Sequence, residues 1–153
     1  MSTVFDRLNA RLTEAGIPFT VLRHEPVYTS EEAAAARGVA LSSGAKALVV
    51  KAGERFVMLV VPADRKLDSK KARAGLGVKA VRFATKEEVL QLTGLAPGSI
   101  PPFGSLFGLP TYVDPALALN PSINFNAGDH AISIQMTHID YLATERPTPL
   151  DMT

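Results

Sequence analysis

Lys46 is the first residue whose type and position could do chemistry. It stands at the mouth of an apolar run, in Ser42-Ser-Gly-Ala-Lys-Ala-Leu-Val-Val50. A lysine there is either a solvated cation at a strand start or an ammonium aimed across a cleft. In the second case it can polarise a carbonyl or hold a phosphate, as a compact point charge with three donors. Gly44 and Ala45 beside it leave room for a ligand to approach the backbone. A second candidate is Pro97-Gly-Ser-Ile-Pro-Pro-Phe-Gly-Ser-Leu-Phe-Gly-Leu-Pro110, with four prolines and three glycines in 14 positions. It is too broken for a regular element and too apolar for a disordered linker. It reads as a rigid connector or as a preorganised wall, with the Gly98, Ser99 and Ile100 amides facing a small ligand and selecting it by size. The third candidate is Asn126-Ala-Gly-Asp-His130. It reads as a β-turn with Gly128 at positive φ, or as a pocket floor with free backbone donors.

Other chemistries lack their residues. The chain has 153 residues and no cysteine, which excludes thiolate zinc sites, iron–sulfur clusters, thiol nucleophiles and disulfides. His24, His130 and His138 lie far apart, without metal-ligand spacing, so no metal or other cofactor is expected. There is no dinucleotide fingerprint, Walker loop, HExxH or GxSxG elbow. No apolar run approaches the roughly 18 residues that a membrane span requires. Nor is there a signal-peptide pattern, so a cytoplasmic location is expected.

The elements that must position these residues are readable in outline. Val4, Leu8 and Leu12 recur at helical spacing over residues 3–15, with Thr3 and Asp6 at the cap and Gly16 and Pro18 after it. Residues 19–23 are strand-like, and His24 to Tyr28 is a loop around Pro26. Thr29-Ser-Glu-Glu32 and Thr85-Lys-Glu-Glu88 are capping boxes opening short helices, and Asp68 caps a third. Ala47–Val50 and Phe56–Val61 form a hairpin whose continuous apolarity implies burial on both faces. Residues 80–83, 111–113 and 122–126 are strand-like, and 131–136 alternates with Ile132, Ile134 and Met136 inward. The length suits one α+β domain over residues 1–146. Its sheet is expected to be mixed, mostly antiparallel, twisted and flanked by short helices. Residues 147–153 are expected to fray.

Charge is unevenly spread. Residues 65–86 hold eight of the 16 basic residues against Asp68 alone, so this segment carries +7 and the remainder −6 of a net +1. That is a solvated basic face or one that tracks a phosphate backbone.

Five stretches, in order, resemble the YbaK/ProX-type aminoacyl-tRNA deacylases, relatives of the editing domain inserted in bacterial prolyl-tRNA synthetases. They are His24-Glu-Pro-Val-Tyr28 with Thr29–Ala34, Lys46–Lys51, Lys66–Lys71, Gly98–Gly104 and Asn126-Ala-Gly128. The resemblance implies a hydrolase acting in trans on mischarged tRNA, on tRNA-Pro or a related tRNA carrying alanine, serine or threonine. It makes Lys46, Asn126 and Gly128 the catalytic candidates. The implied substrate contacts are His24, Tyr28, Gly44, Ala45, Gly98, Ser99, Ile100, Pro101, Pro102, Phe103, Ala127 and His130. Arg65, Lys66, Lys70, Lys71 and Arg73 would meet the acceptor stem. Asn126 and nearby amides would be the oxyanion donors, with Asp129 or His130 as a possible base. The partners implied are aminoacyl-tRNA and a synthetase, with neither DNA nor membrane. Two other readings of the same residues stand beside this one. One is a non-catalytic module binding tRNA or a synthetase, and the other is a small amino-acid-binding protein.

Overall fold

The computed structural model describes residues 2–153. Five helices and eight strands form one α+β unit: α1 (Val4–Glu14), β1 (Thr20–Arg23), α2 (Ser30–Arg37), β2 (Ala45–Ala52), β3 (Arg55–Pro62), α3 (Ser69–Leu76), β4 (Val81–Phe83), α4 (Lys86–Thr93), β5 (Thr111–Val113), β6 (Ser122–Asp129), β7 (Ile132–Thr137), α5 (His138–Glu145) and β8 (Thr148–Pro149). Local chemistry sets the helix starts. Thr3, Thr29 and Thr85 each close a capping box with an acid three residues on. Asp68 accepts from the Lys70 and Lys71 amides.

The strands divide between two sheets. One has the order β1-β7-β6 and is antiparallel. The other has the order β4-β2-β3-β5-β8, antiparallel except for the parallel pairs β3–β5 and β5–β8. The sheets meet where Gly44, just before β2, bridges to Asn124 of β6. A Cβ on Gly44 would lie 2.8 Å from the Ala63 Cβ, so only glycine lets the chain pass there undisturbed.

The β2–β3 hairpin pairs from Ala45↔Pro62 to Ala52↔Arg55. Its strand β3 is buried on both faces, as its apolar run implies. Met58 and Val60 enter a core with Leu8, Leu12, Phe103, Phe125, Ile134 and Tyr141. Val57, Leu59 and Val61 enter a second core with Ala72 of α3 and Met152.

Two sequence expectations change. Residues 147–153 do not fray. Strand β8 pairs with β5, and the Met152 side chain is fully buried. The Met152 amide and the Thr153 hydroxyl both donate to the buried Asp114 carboxylate. Met152 completes the second core, which outweighs the entropy of ordering the last residues. The second change concerns 126–130. Strand β6 runs on to Asp129 through a bulge between Asn126 and Asp129, so Gly128 is a bulge residue within a strand and not the hairpin turn. Its φ of +87° and a prospective Cβ contact of 3.1 Å with Val4 of α1 both require glycine.

Deleting residues 147–153 is expected to lower the unfolding free energy by roughly 3 kcal/mol or more, from the lost Met152 burial and the loss of both donors to Asp114 Oδ2. Urea denaturation checks this. An unchanged midpoint would show that the tail is not part of the core.

Candidate active site

A cleft of about 170 Å³ opens where the two sheets meet α2. That is roughly the share of liquid volume of five or six waters. It suits a small aminoacyl group and not a whole nucleotide. Helix α2 supplies one wall with Ser30, Ala33, Ala34 and Arg37, residues whose spacing places them on a single helix face. The floor is Gly44, Ala45, Lys46 and Ala47 at the start of β2, with Ala63 just beyond β3. Asn124, Phe125 and Asn126 of β6 form the back, Gly98 and Ile100 the opposing wall, and Tyr28 and Thr29 part of the lining before α2. Apart from Ile100, Leu41 and the aromatic pair Tyr28 and Phe125, the apolar lining is alanine and glycine.

The electrostatics are one-sided. Arg37 and Lys46 line the cleft, with no aspartate, glutamate or histidine beside them. Both are half-buried, and neither forms an ion pair among the described residues. Burial pushes the Arg37 guanidinium down to about 10, which leaves it a cation at neutral pH.

The Gly98–Gly104 wall is held from several sides. The Asn126 side chain donates through Nδ2 to the Gly98 carbonyl at 2.7 Å, and the Gly128 amide donates to the Ser99 carbonyl at 2.8 Å. From beneath, the Tyr141 hydroxyl donates to the Pro102 carbonyl at 2.7 Å. Burial, with the Glu145 carboxylate nearby, holds that hydroxyl well above its usual pKa, so it stays a donor. Thr111 Oγ1 accepts from the Gly104 amide and donates to Glu145. Gly98 and Ile100 line the cleft, and their amides donate to no group among the described residues.

A linear chain of hydrogen bonds runs behind the cleft. His24 Nδ1 lies 2.8 Å from the Glu25 carbonyl, and His24 Nε2 lies 2.8 Å from Ser133 Oγ. Arg37 Nε donates to the same Ser133 Oγ at 2.8 Å. Arg37 Nη2 donates to Asn126 Oδ1 at 3.0 Å, and Asn126 passes the connection to Gly98.

The structure gathers part of the expected site. Tyr28, Gly44, Ala45, Lys46, Gly98, Ile100 and Asn126 line the cleft. His24 stands behind it, on Ser133. Ser99, Pro101, Pro102, Phe103 and Ala127 are buried beneath it, with Phe103 edge-on to Tyr141 in the core. Gly128 lies behind the loop, its amide already spent on Ser99, so it cannot serve as an oxyanion donor without breaking that bond. The Asn126 Nδ2 donor is likewise committed to Gly98. His130 backs the Tyr28 ring, with centroids 4.7 Å apart, and its Nδ1 lies 3.1 Å from the Val27 carbonyl. Asp129 accepts from the Ala131 amide and does not line the cleft. The sequence reading missed Arg37, Ala33 and Ala34. Ala33, Ala34 and Arg37 stand at i+3, i+4 and i+7 from Ser30, and that spacing after the capping box was the available signal. An alanine-rich helix carries no chemistry until something packs against it.

Outside the cleft, Arg65, Lys66, Lys70 and Lys71 are exposed and Arg73 is half-buried. The basic segment begins two residues after Ala63 of the cleft lining, with the exposed Asp64 between them. The fold returns two acids to it. Lys71 reaches Asp151 at 3.5 Å, and Arg82 is paired with Glu88 at 2.7 Å.

A family model for the aminoacyl-tRNA editing domain matches residues 24–143, which include every residue lining the cleft. The chain belongs to this family. It is 35% identical over 151 residues to the multifunctional Ser/Thr-tRNA deacylase ProXp-y of Escherichia coli (strain K12), across 95% of this chain and 90% of that protein. It is 34% identical over 110 residues to the proline–tRNA ligase of Bacillus subtilis (strain 168), across 70% of this chain and 20% of the ligase. It superposes on a crystal structure described as a candidate trans-editing enzyme for prolyl tRNA synthetase, with a TM-score of 0.88 at 29% identity. That alignment covers 100% of this chain and 98% of the other. The editing domain is an ester-hydrolysing module, and its α+β architecture is the one found here.

Asn126→Ala removes both bonds that tie the editing-domain loop to α2. The expected cost is about 1–3 kcal/mol of stability. Amide exchange at Gly128 should also accelerate, because its N–H closes the same loop. Unchanged Gly128 exchange would show that Asn126 does not brace the wall.

Proposed function

We propose that this protein is a trans-editing deacylase that removes serine or threonine from mischarged tRNA, with Lys46 anchoring the aminoacyl end. The observation that carries the reading is the cleft: two unpaired cations, no carboxylate, and two unengaged amides around a space of aminoacyl size. Action in trans is supported by the Ser/Thr-tRNA deacylase, nine-tenths of whose length this chain matches. A cytoplasmic location follows from the substrate. No helix among the described residues is long and apolar enough to cross a membrane.

The chemistry needs little from the protein. An aminoacyl ester is already activated. Water adds to its carbonyl carbon, the oxygen becomes an oxyanion, and the 3′-oxygen of the ribose leaves with a proton. The amides of Gly98 and Ile100 are donors for that oxyanion, and Lys46 polarises the carbonyl. Since no carboxylate or histidine lines the cleft, the ribose 2′-hydroxyl beside the ester carries the proton between water and leaving oxygen. The Asn126 and Gly128 assignments become supporting ones: they hold the wall, and the wall does the stabilising.

Selection by size follows from the alanine lining and from Ile100 opposite. Serine and threonine fit, whereas a larger side chain meets the Gly98–Ile100 wall. This excludes bulk well but separates small residues poorly, because one methylene is worth only about 1–3 kcal/mol. The exposed Arg65, Lys66 and Lys70, with the half-buried Arg73, meet the acceptor stem. A prolyl-tRNA synthetase is the partner favoured by the relatives.

The test is a deacylation panel of seryl-, threonyl-, alanyl-, cysteinyl- and prolyl-tRNA with catalytic amounts of protein. Seryl- and threonyl-tRNA should lose their ester, and Lys46→Ala should slow this by about 100-fold or more at unchanged thermal stability. Survival of every ester, with tRNA still bound, would make the protein a binding module instead.

A further inference from the structure

Arg37 carries a charge that the fold does not use. Its Nε and one Nη2 hydrogen are spent on Ser133 and Asn126. Three of the five guanidinium donors remain, including both on Nη1. No carboxylate answers the charge. A neutral amide side chain could serve Ser133 and Asn126 without desolvating a cation, so the charge itself needs an external partner.

The free edge has a defined position. Arg37 Nη1 lies 3.9 Å from where a Cβ on Gly44 would stand, over the floor that leads two residues later to Lys46. Two cations therefore share the floor of one small cleft. The end of an aminoacyl-tRNA offers few groups to match them. Its α-ammonium is repelled by both. Its ester carbonyl is neutral and becomes negative only in transit. Its one permanent anion near the ester is the phosphate on the 5′ side of the terminal nucleoside.

We infer that Arg37 grips this phosphate through its free guanidinium edge, leaving Lys46 for the ester carbonyl. The inference rests on the deacylase reading and deepens it. A planar fork suits phosphate oxygens better than an ammonium does. Because Nη2 also holds Asn126, phosphate binding and the placement of Gly98 are joined in one side chain. Arg37 thus holds the phosphate while the aminoacyl group alone occupies the cleft, and the same side chain sets the oxyanion wall.

The test compares two minimal substrates, the 3′-seryl ester of adenosine and the same ester of adenosine 5′-monophosphate. The 5′-phosphate should raise the wild-type kcat/KM by about 10- to 100-fold, chiefly through KM. R37M should lose that advantage and treat the two esters alike, and R37K should recover part of it. Calorimetry with adenosine 5′-monophosphate alone should show binding to wild type and none to R37M, which tests the contact whether or not any ester is cleaved. The inference is overturned if the phosphate gives wild type no advantage. It is also overturned if R37M slows both esters equally while keeping the preference, or if the nucleotide binds R37M as well as wild type. Failure of wild type to cleave seryl- or threonyl-tRNA would sink the deacylase reading separately.

Discussion

The Asn126 side chain accepts from Arg37 on one side and donates to the Gly98 carbonyl on the other. Around that one amide the cleft takes its shape. It links helix α2, strand β6 and the Gly/Pro loop, three segments that lie far apart in the chain. An amide can do this because it offers an acceptor and donors on one rigid plane. An aspartate in its place would accept from Arg37 but would confront the Gly98 carbonyl with a second oxygen. It would also neutralise the cation that the cleft leaves free.

The loop is stiff for a reason found outside itself. Its prolines restrict it, but its position comes from Tyr141 and Glu145 of α5, Thr111 of β5 and Gly128 of β6. Ser99 to Gly104 is buried, with Phe103 in the main core. The segment is therefore core on one side and cleft wall on the other. Such a wall can hold donors aimed at a developing charge without reorganising when the charge appears. The absence of a carboxylate or histidine from the lining fits a substrate that is already activated and brings its own hydroxyl.

Positive charge has two uses in this molecule. In the cleft it is uncompensated, held by Arg37 and Lys46, and suited to one anion at close range. On the segment after β3 it is exposed, partly answered by Asp151 and Glu88, and suited to a phosphate backbone at longer range. Ala63 lies between the two, on the cleft lining and two residues before Arg65. The exposed Asp64 stands between Ala63 and Arg65, so one acidic residue separates the cleft lining from the basic segment.

Much of this was determined by sequence alone. The caps at Thr3, Thr29, Asp68 and Thr85, the doubly buried hairpin and the alternation of β7 rest on contacts between near neighbours, so spacing reveals them. Lys46 and the Gly/Pro loop were legible because their residue types are costly or unusual where they stand. Tertiary structure decided the rest. Nothing in the sequence singles out Arg37; only Ser133 of β7 and Asn126 of β6, meeting it across the fold, give it a place in the cleft. Gly128 looked like a turn until a bulge carried β6 past it and α1 came within reach. Phe103 and its prolines looked like pocket walls, yet the core claimed their side chains and left the cleft only Gly98 and Ile100. The tail looked free until Asp114 and the second core held Met152. In each case the deciding partner is distant in the chain, and a pattern of spacings carries no record of which distant groups meet.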